Sequence, residues 1–159
     1  MANQPTCKLM ISHPAHLLSF GFGAGLVPNA PGTMGTLIAL PLSAVVMVLS
    51  MQQQLLLIAM LFLVGVYVCH QTGLALGVSD HGAIVWDEIV AMMLVLTFTP
   101  FSWIWWAVAF LLFRLFDIWK PFPIRQCDAR VKGGLGVMLD DMLAAGYAIV
   151  CLRTMIWMI

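Results

Sequence analysis

The chain has 159 residues, 62% of them hydrophobic and 9% charged, with 7 basic and 7 acidic side chains and no net charge. Soluble domains carry roughly 45–50% apolar and about 25% charged residues, and so few charges cannot cover the surface of a soluble fold this small. A water-soluble globule is therefore excluded, a single membrane-embedded domain over residues 1–159 is expected, and zero net charge offers no bulk attraction to nucleic acid.

In chain order, the opening stretch MANQPTCKLMISHPAH lacks a clean apolar run and a small-residue cleavage site, so it does not read as a signal peptide. Residues 16–20 suggest a short interfacial helix. The remainder of the N-terminal segment, to residue 35, is a Gly/Pro-rich loop, and residues 36–159 read as a helical bundle. Apolar segments follow at 36–50, 55–69, 89–99, 103–116 and 139–159. A spanning helix needs about 20 residues, so these spans must borrow flanking residues, including charged ones. The expected architecture is an all-α, multi-pass transmembrane bundle with about four to five membrane segments.

The predicted turns at 51–54 and 100–102 are short, whereas the connections 1–35, 70–88 and 117–140 are long and carry most of the charge. If every segment crosses, the long connections share one face with Lys8, Arg114, Lys120, Arg125, Arg130 and Lys132, and only Arg153 lies at the other. Excess Lys and Arg at helix ends marks the cytoplasmic side. Asp80, Asp87, Glu88, Asp117, Asp128, Asp140 and Asp141 all fall on that same face, where a site is expected. Trp103, Trp105 and Trp106 fit an aromatic belt at the other face.

Four constellations carry chemistry. Asp87 and Glu88 enter the third apolar segment beside Trp86, Ile89 and Val90. The helix dipole alone would favour acids there, but two adjacent carboxylates in a low dielectric repel, and a divalent cation relieves that repulsion. Asp140 and Asp141 repeat the arrangement at the last segment, and the two pairs together offer the all-oxygen ligands that Mg²⁺ prefers. Arg114 and Asp117, spaced i and i+3, share a helix face. Lys120 and Arg125 flank Pro121 and Pro123 where a phosphate would arrive, although positive-inside anchoring also accounts for them. Residues 21–36 supply glycines, backbone amides and the hydroxyls of Thr33 and Thr36, which suit a phosphate or a tight turn; no Gly-Lys-Ser/Thr P-loop follows. The four histidines are scattered, though His81 beside Asp80 is placed to move a proton. The four cysteines read as single thiols.

The runs GFGAGLVPNAPGTMGT, DHGAIVWDE, FRLFDIWKPFPIR and GGLGVMLDD, in that order, resemble the bacterial phosphatidylglycerophosphatase A family over roughly residues 12–146. The resemblance implies a Mg²⁺-dependent phosphatase of the bacterial inner membrane that converts phosphatidylglycerophosphate into phosphatidylglycerol and inorganic phosphate. Carried over to this chain, it implies an acidic site of Asp80, Asp87, Glu88, Asp117, Asp140 and Asp141, with Gly32, Thr33, Arg114 and Lys120 as companions. The expected division is Asp87, Glu88, Asp140 and Asp141 for metal, Asp80, Asp117, Arg114 and Lys120 for catalysis, and Gly32, Thr33 and Arg125 for substrate. Which acid handles protons, whether a phosphoenzyme forms and the oligomeric state are left open. Neither a PSGH element nor a DxDxT string occurs. A CDP-alcohol phosphotransferase is matched only by the fragment Asp128-Ala129-Arg130 with Gly136 and Asp140. A small divalent-cation transporter stands as the alternative from another class.

Overall fold

The computed structural model describes residues 4–158, which form helices and connecting turns, with no strand among them. Met1 and Ile159, the outer bounds of the first and last predicted regions, lie outside the described residues. Two short helices, α1 (Cys7–Ser12) and α2 (Pro14–Ser19), lead through a 3-10 segment (Gly21–Leu26) into α3 (Pro31–Val46). Then come α4 (Met51–Leu76), α5 (Trp86–Thr97), α6 (Trp103–Trp119), α7 (Ile124–Arg130) and α8 (Gly134–Met158). A helix does cover most of 16–20: α2 starts earlier, at a proline whose missing N–H costs nothing at a helix N-terminus.

Helix boundaries differ from the apolar segments in an instructive way. Residues 51–54, expected as a turn, form the first turn of α4, because Ser50 and Gln53 satisfy each other's backbone amides in a capping box. The turn itself sits just before, around 47–50. The helix then runs on past Cys69 until Gly77 adopts a left-handed conformation at φ 77° and terminates it. Likewise α3 starts at Pro31, so Gly32 and Thr33 lie in a helical first turn rather than in a loop. Helix α8 starts at Gly134, which sets Asp140 and Asp141 almost two turns inside it.

Two helices, α4 with 26 residues and α8 with 25, are long and apolar enough to cross a membrane. At 1.5 Å per residue they reach roughly 39 and 37 Å, more than the roughly 30 Å of a hydrocarbon core. Helix α3 is apolar but shorter, and α5 and α6 have 12 and 17 residues. Leu56, Met60, Leu63 and Tyr67 of α4 are exposed, an apolar face that water would penalise and lipid would accept.

Helix α5 is the centre. Beyond the acids of its first turn it is apolar on every side, Val90, Ala91, Met92, Val95 and Leu96 being wholly buried, and α3, α4 and α8 pack around it. Helix α6 packs on α8. Two close approaches set the register. A side chain at Gly32 would strike Glu88 and Arg114, and one at Gly134 would strike the Val66 carbonyl and the His70 backbone of α4. The starts of α3, α5 and α8 and the ends of α4 and α6 therefore gather at one end of the bundle. At the other end, Val46 of α3, Gln54 of α4 and Thr97 of α5 line a common crevice.

Candidate active site

Three carboxylates from two helices converge. Asp87 and Glu88 occupy the first turn of α5 and Asp141 the second turn of α8, and one oxygen from each lies within 4.8 Å of the others. Asp87 and Asp141 are buried and Glu88 is half-buried. Asp87 Oδ1, Glu88 Oε2 and Asp141 Oδ2 are each buried without a hydrogen-bond partner among the described residues. An unpaired buried carboxylate is costly, and three together are costlier still by mutual repulsion. An all-oxygen donor set with unsatisfied lone pairs in a tight group is what a hard divalent cation requires, so these residues fit Mg²⁺.

The expected quartet of ligands thus comes together as three acids and a neighbour. Asp140 is buried beside Asp141, but its Oδ2 accepts a hydrogen bond from Lys120 Nζ at 2.5 Å. Its Oδ1 accepts from the Asp141 backbone amide at 3.1 Å. Adjacent residues on a helix point about 100° apart, so Asp141 enters the acid cluster while Asp140 turns to the lysine.

Arg114 is the cation nearest the cluster. Its Nη1 donates to Asp117 Oδ2 at 2.5 Å and lies 3.5 Å from Glu88 Oε1, while its Nε is buried without a partner. The i, i+3 pairing of Arg114 with Asp117 is present, and it aims the guanidinium across to α5. Gly32 sits against both Arg114 and Glu88, where only a glycine leaves room. Thr33 beside it is half-buried. The Thr36 hydroxyl, buried, donates to the Gly32 carbonyl at 2.8 Å and so braces the turn rather than opening toward a ligand.

Lys120 ends α6 in a left-handed conformation at φ 46°, which directs it between Asp140 and Asp128, the latter 3.2 Å away. Burial alone would depress its pKa. The hydrogen bonds and charges of Asp140 and Asp128 outweigh that and raise it above the ordinary lysine value, so it stays cationic. Asp128 is a neighbour of the site that the sequence offered only as one more acid on this face and as part of the Asp128-Ala129-Arg130 fragment; its pairing with Lys120 depends on where α7 lands. Arg125 is exposed on α7 and shares with Lys120, Trp119 and Arg130 a groove that opens beside the cluster.

Asp80, in the turn before α5, makes no side-chain hydrogen bond or ion pair among the described residues. The residue as a whole is exposed, yet protein encloses its carboxyl group enough to push the pKa up. Desolvation is the largest cause; Lys120 opposes it, and Asp128 and Asp117 add to it. The His81 ring nitrogen accepts from the Ala83 amide at 3.1 Å, so it shapes this turn.

Residues 17–156 match the family model for Phosphatidylglycerophosphatase A. A Haemophilus influenzae protein named Phosphatidylglycerophosphatase A is 47% identical over 150 residues, covering 93% of this chain and 92% of its own length. An Escherichia coli K12 protein of the same name is 47% identical over 138 residues, covering 86% of this chain and 80% of its own. No solved structure matches the chain. A bundle end that collects unsatisfied carboxylates beside Arg114 and Lys120, on a sequence similar throughout to these proteins, leads to one assignment: the chain belongs to the phosphatidylglycerophosphatase A family.

Proposed function

We propose that the protein is a Mg²⁺-dependent lipid phosphatase that hydrolyses the phosphomonoester of phosphatidylglycerophosphate to phosphatidylglycerol and inorganic phosphate. The observation that carries this is the trio Asp87, Glu88 and Asp141, grouped within 4.8 Å with an unpartnered oxygen on each, next to two basic residues held by other acids. The names of the relatives supply the substrate.

Asp87, Glu88 and Asp141 would hold the cation, which would neutralise the phosphoryl oxygens and stabilise charge on the group being transferred. Arg114, kept in place by Asp117 and Glu88, presents a planar donor fork to the same phosphoryl group. Lys120 stands on the far side of Asp141's neighbour and completes the positive rim. Asp80, with its raised pKa and no competing partner, is suited to take the proton from water and deliver it to the departing glycerol oxygen. Arg125, exposed in the adjoining groove, suits the diester phosphate that the same lipid carries. Gly32 lies against Glu88 and Arg114, and the half-buried Thr33 beside it would offer its hydroxyl to the substrate phosphate.

The lysines and arginines at this end favour a cytoplasmic site in the bacterial inner membrane. Helices α3, α5 and α6 then run into the bilayer beside the two long helices, which gives a multi-pass arrangement.

The test is phosphate release by purified, detergent-solubilised protein from phosphatidylglycerophosphate. Release in Mg²⁺ that stops in EDTA and returns with Mg²⁺ is expected. Folded protein that releases no phosphate under any divalent cation, or releases it equally well in EDTA, would falsify the reading.

A further inference from the structure

Helices α3 and α6 touch sparingly, and between them lies an apolar groove of about 610 Å³. One wall carries Leu37, Pro41 and Ala44 and the other Trp103, Ala107 and Phe110. Both sets are spaced i, i+4 and i+7, so each is a single stripe along its helix. The stripes continue into the candidate site. One turn before Leu37 on the same face stands Thr33, and one turn after Phe110 stands Arg114, whose guanidinium lies against the start of α3.

The geometry points to this groove as the track for one alkyl chain of the lipid phosphate whose headgroup occupies the acid cluster, an inference that rests on the phosphatase reading above. Three observations commit it to that occupant. The groove offers almost no polar surface apart from Ser102 at its far end, which suits a hydrocarbon and not a peptide or a sugar. Its register delivers a chain to Thr33 and Arg114, beside Glu88 of the acid cluster. Its length also fits, since the eleven steps from Thr33 to Ala44 rise roughly 16 Å, close to the about 15 Å of hydrocarbon in one leaflet. A lipid seated there would keep its tail at bilayer depth while its phosphate stays at the bundle end. The groove then sets chain-length preference and helps to orient the headgroup, a use of remote binding energy at the reacting centre.

Filling the groove tests this. Ala107→Phe on α6 and Ala44→Phe on α3 would be compared with wild type on dipalmitoyl and dihexanoyl phosphatidylglycerophosphate in detergent. Val45→Phe serves as the control, because Val45 is exposed outside the groove stripe. We expect both filling variants to lose about tenfold in kcat/KM on the long-chain lipid, with the short-chain rate within about twofold and Val45→Phe unchanged on both. Equal losses on both lipids, or none on either, would overturn the track. The first outcome would mean a packing disturbance at the site, and the second would give the groove to bulk bilayer lipid. Unchanged hydrolysis with a shift in oligomer size would give it to a second copy of the chain. Wild-type protein inactive on both lipids would instead overturn the phosphatase reading itself.

Discussion

The two acidic pairs look alike as letters and behave differently as structure. Asp87-Glu88 and Asp140-Asp141 each head an apolar stretch, yet the first opens α5 and the second lies inside α8. Both members of the first pair enter the cluster, whereas only Asp141 of the second does so, and Asp140 is held by Lys120. The pair at a helix start has orphan backbone amides and a favourable dipole close by. The pair within the helix has neither, so its two acids meet different surroundings: Asp140 is held by Lys120 at the end of α6, while Asp141 joins the trio with an oxygen left unpartnered. Adjacency in sequence therefore does not imply a shared ligand.

The sharpest way to break this comparison is to neutralise each acid of the second pair. Asp141→Asn is expected to lower Mg²⁺-dependent phosphate release by about 100-fold or more, and Asp140→Asn by only about tenfold, since loss of an outer partner typically costs roughly 10–100-fold. Mg²⁺ titration of the rate separates them further. Asp141→Asn should need far more metal for half-maximal rate, while Asp140→Asn should not. Equal metal dependence in the two variants would restore Asp140 as a ligand.

A smaller effect is expected where α3 meets the trio. Gly32→Ala places a methyl group against Glu88 and Arg114, and a misplacement near 1 Å costs up to about 100-fold in rate. We expect a loss of about tenfold in kcat with thermal stability nearly unchanged. Wild-type kcat in this variant would show that the close approach of α3 is not needed for the chemistry.

The smallest effect sets the site apart from its support. His16, buried in α2, exchanges a 2.9 Å hydrogen bond with Thr72 of α4. Burial, then His13, lowers its pKa below the ordinary 6.5. The unfolded chain therefore takes up this proton at a higher pH than the folded one. Its contribution to stability is complete above about pH 6.5 and declines as pH falls toward the lowered value. A wild-type Tm that drops by a few degrees between about pH 7 and pH 5, with a shallower drop in His16→Gln, is the expected result. Parallel curves for the two proteins would remove His16 from the account.

Much of the site could be read from residue types alone. The scarcity of charge made every ionisable residue conspicuous, and Arg114 with Asp117 followed from helix spacing. Helix ends were less legible. Capping by Ser50 and Gln53 moved a turn, and the last helix began at Gly134, ahead of the apolar segment expected from residue 139. Segment lengths led to an expectation of four to five spans, whereas among the described residues length and composition qualify α4 and α8. The groove between α3 and α6 could not be foreseen, because it exists only where two stripes face each other without interdigitating.

Composition and patterning by themselves determined an all-helical, lipid-compatible chain with most of its acids and bases collected in three connections, since apolar runs and the cost of buried charge act locally along the sequence. Tertiary packing alone decided which acids meet. That outcome depends on the rotation of α5 and α8 about their axes and on the close approaches at Gly32 and Gly134, and a turn of about 100° between neighbouring residues is enough to send one carboxylate to the trio and the next to Lys120.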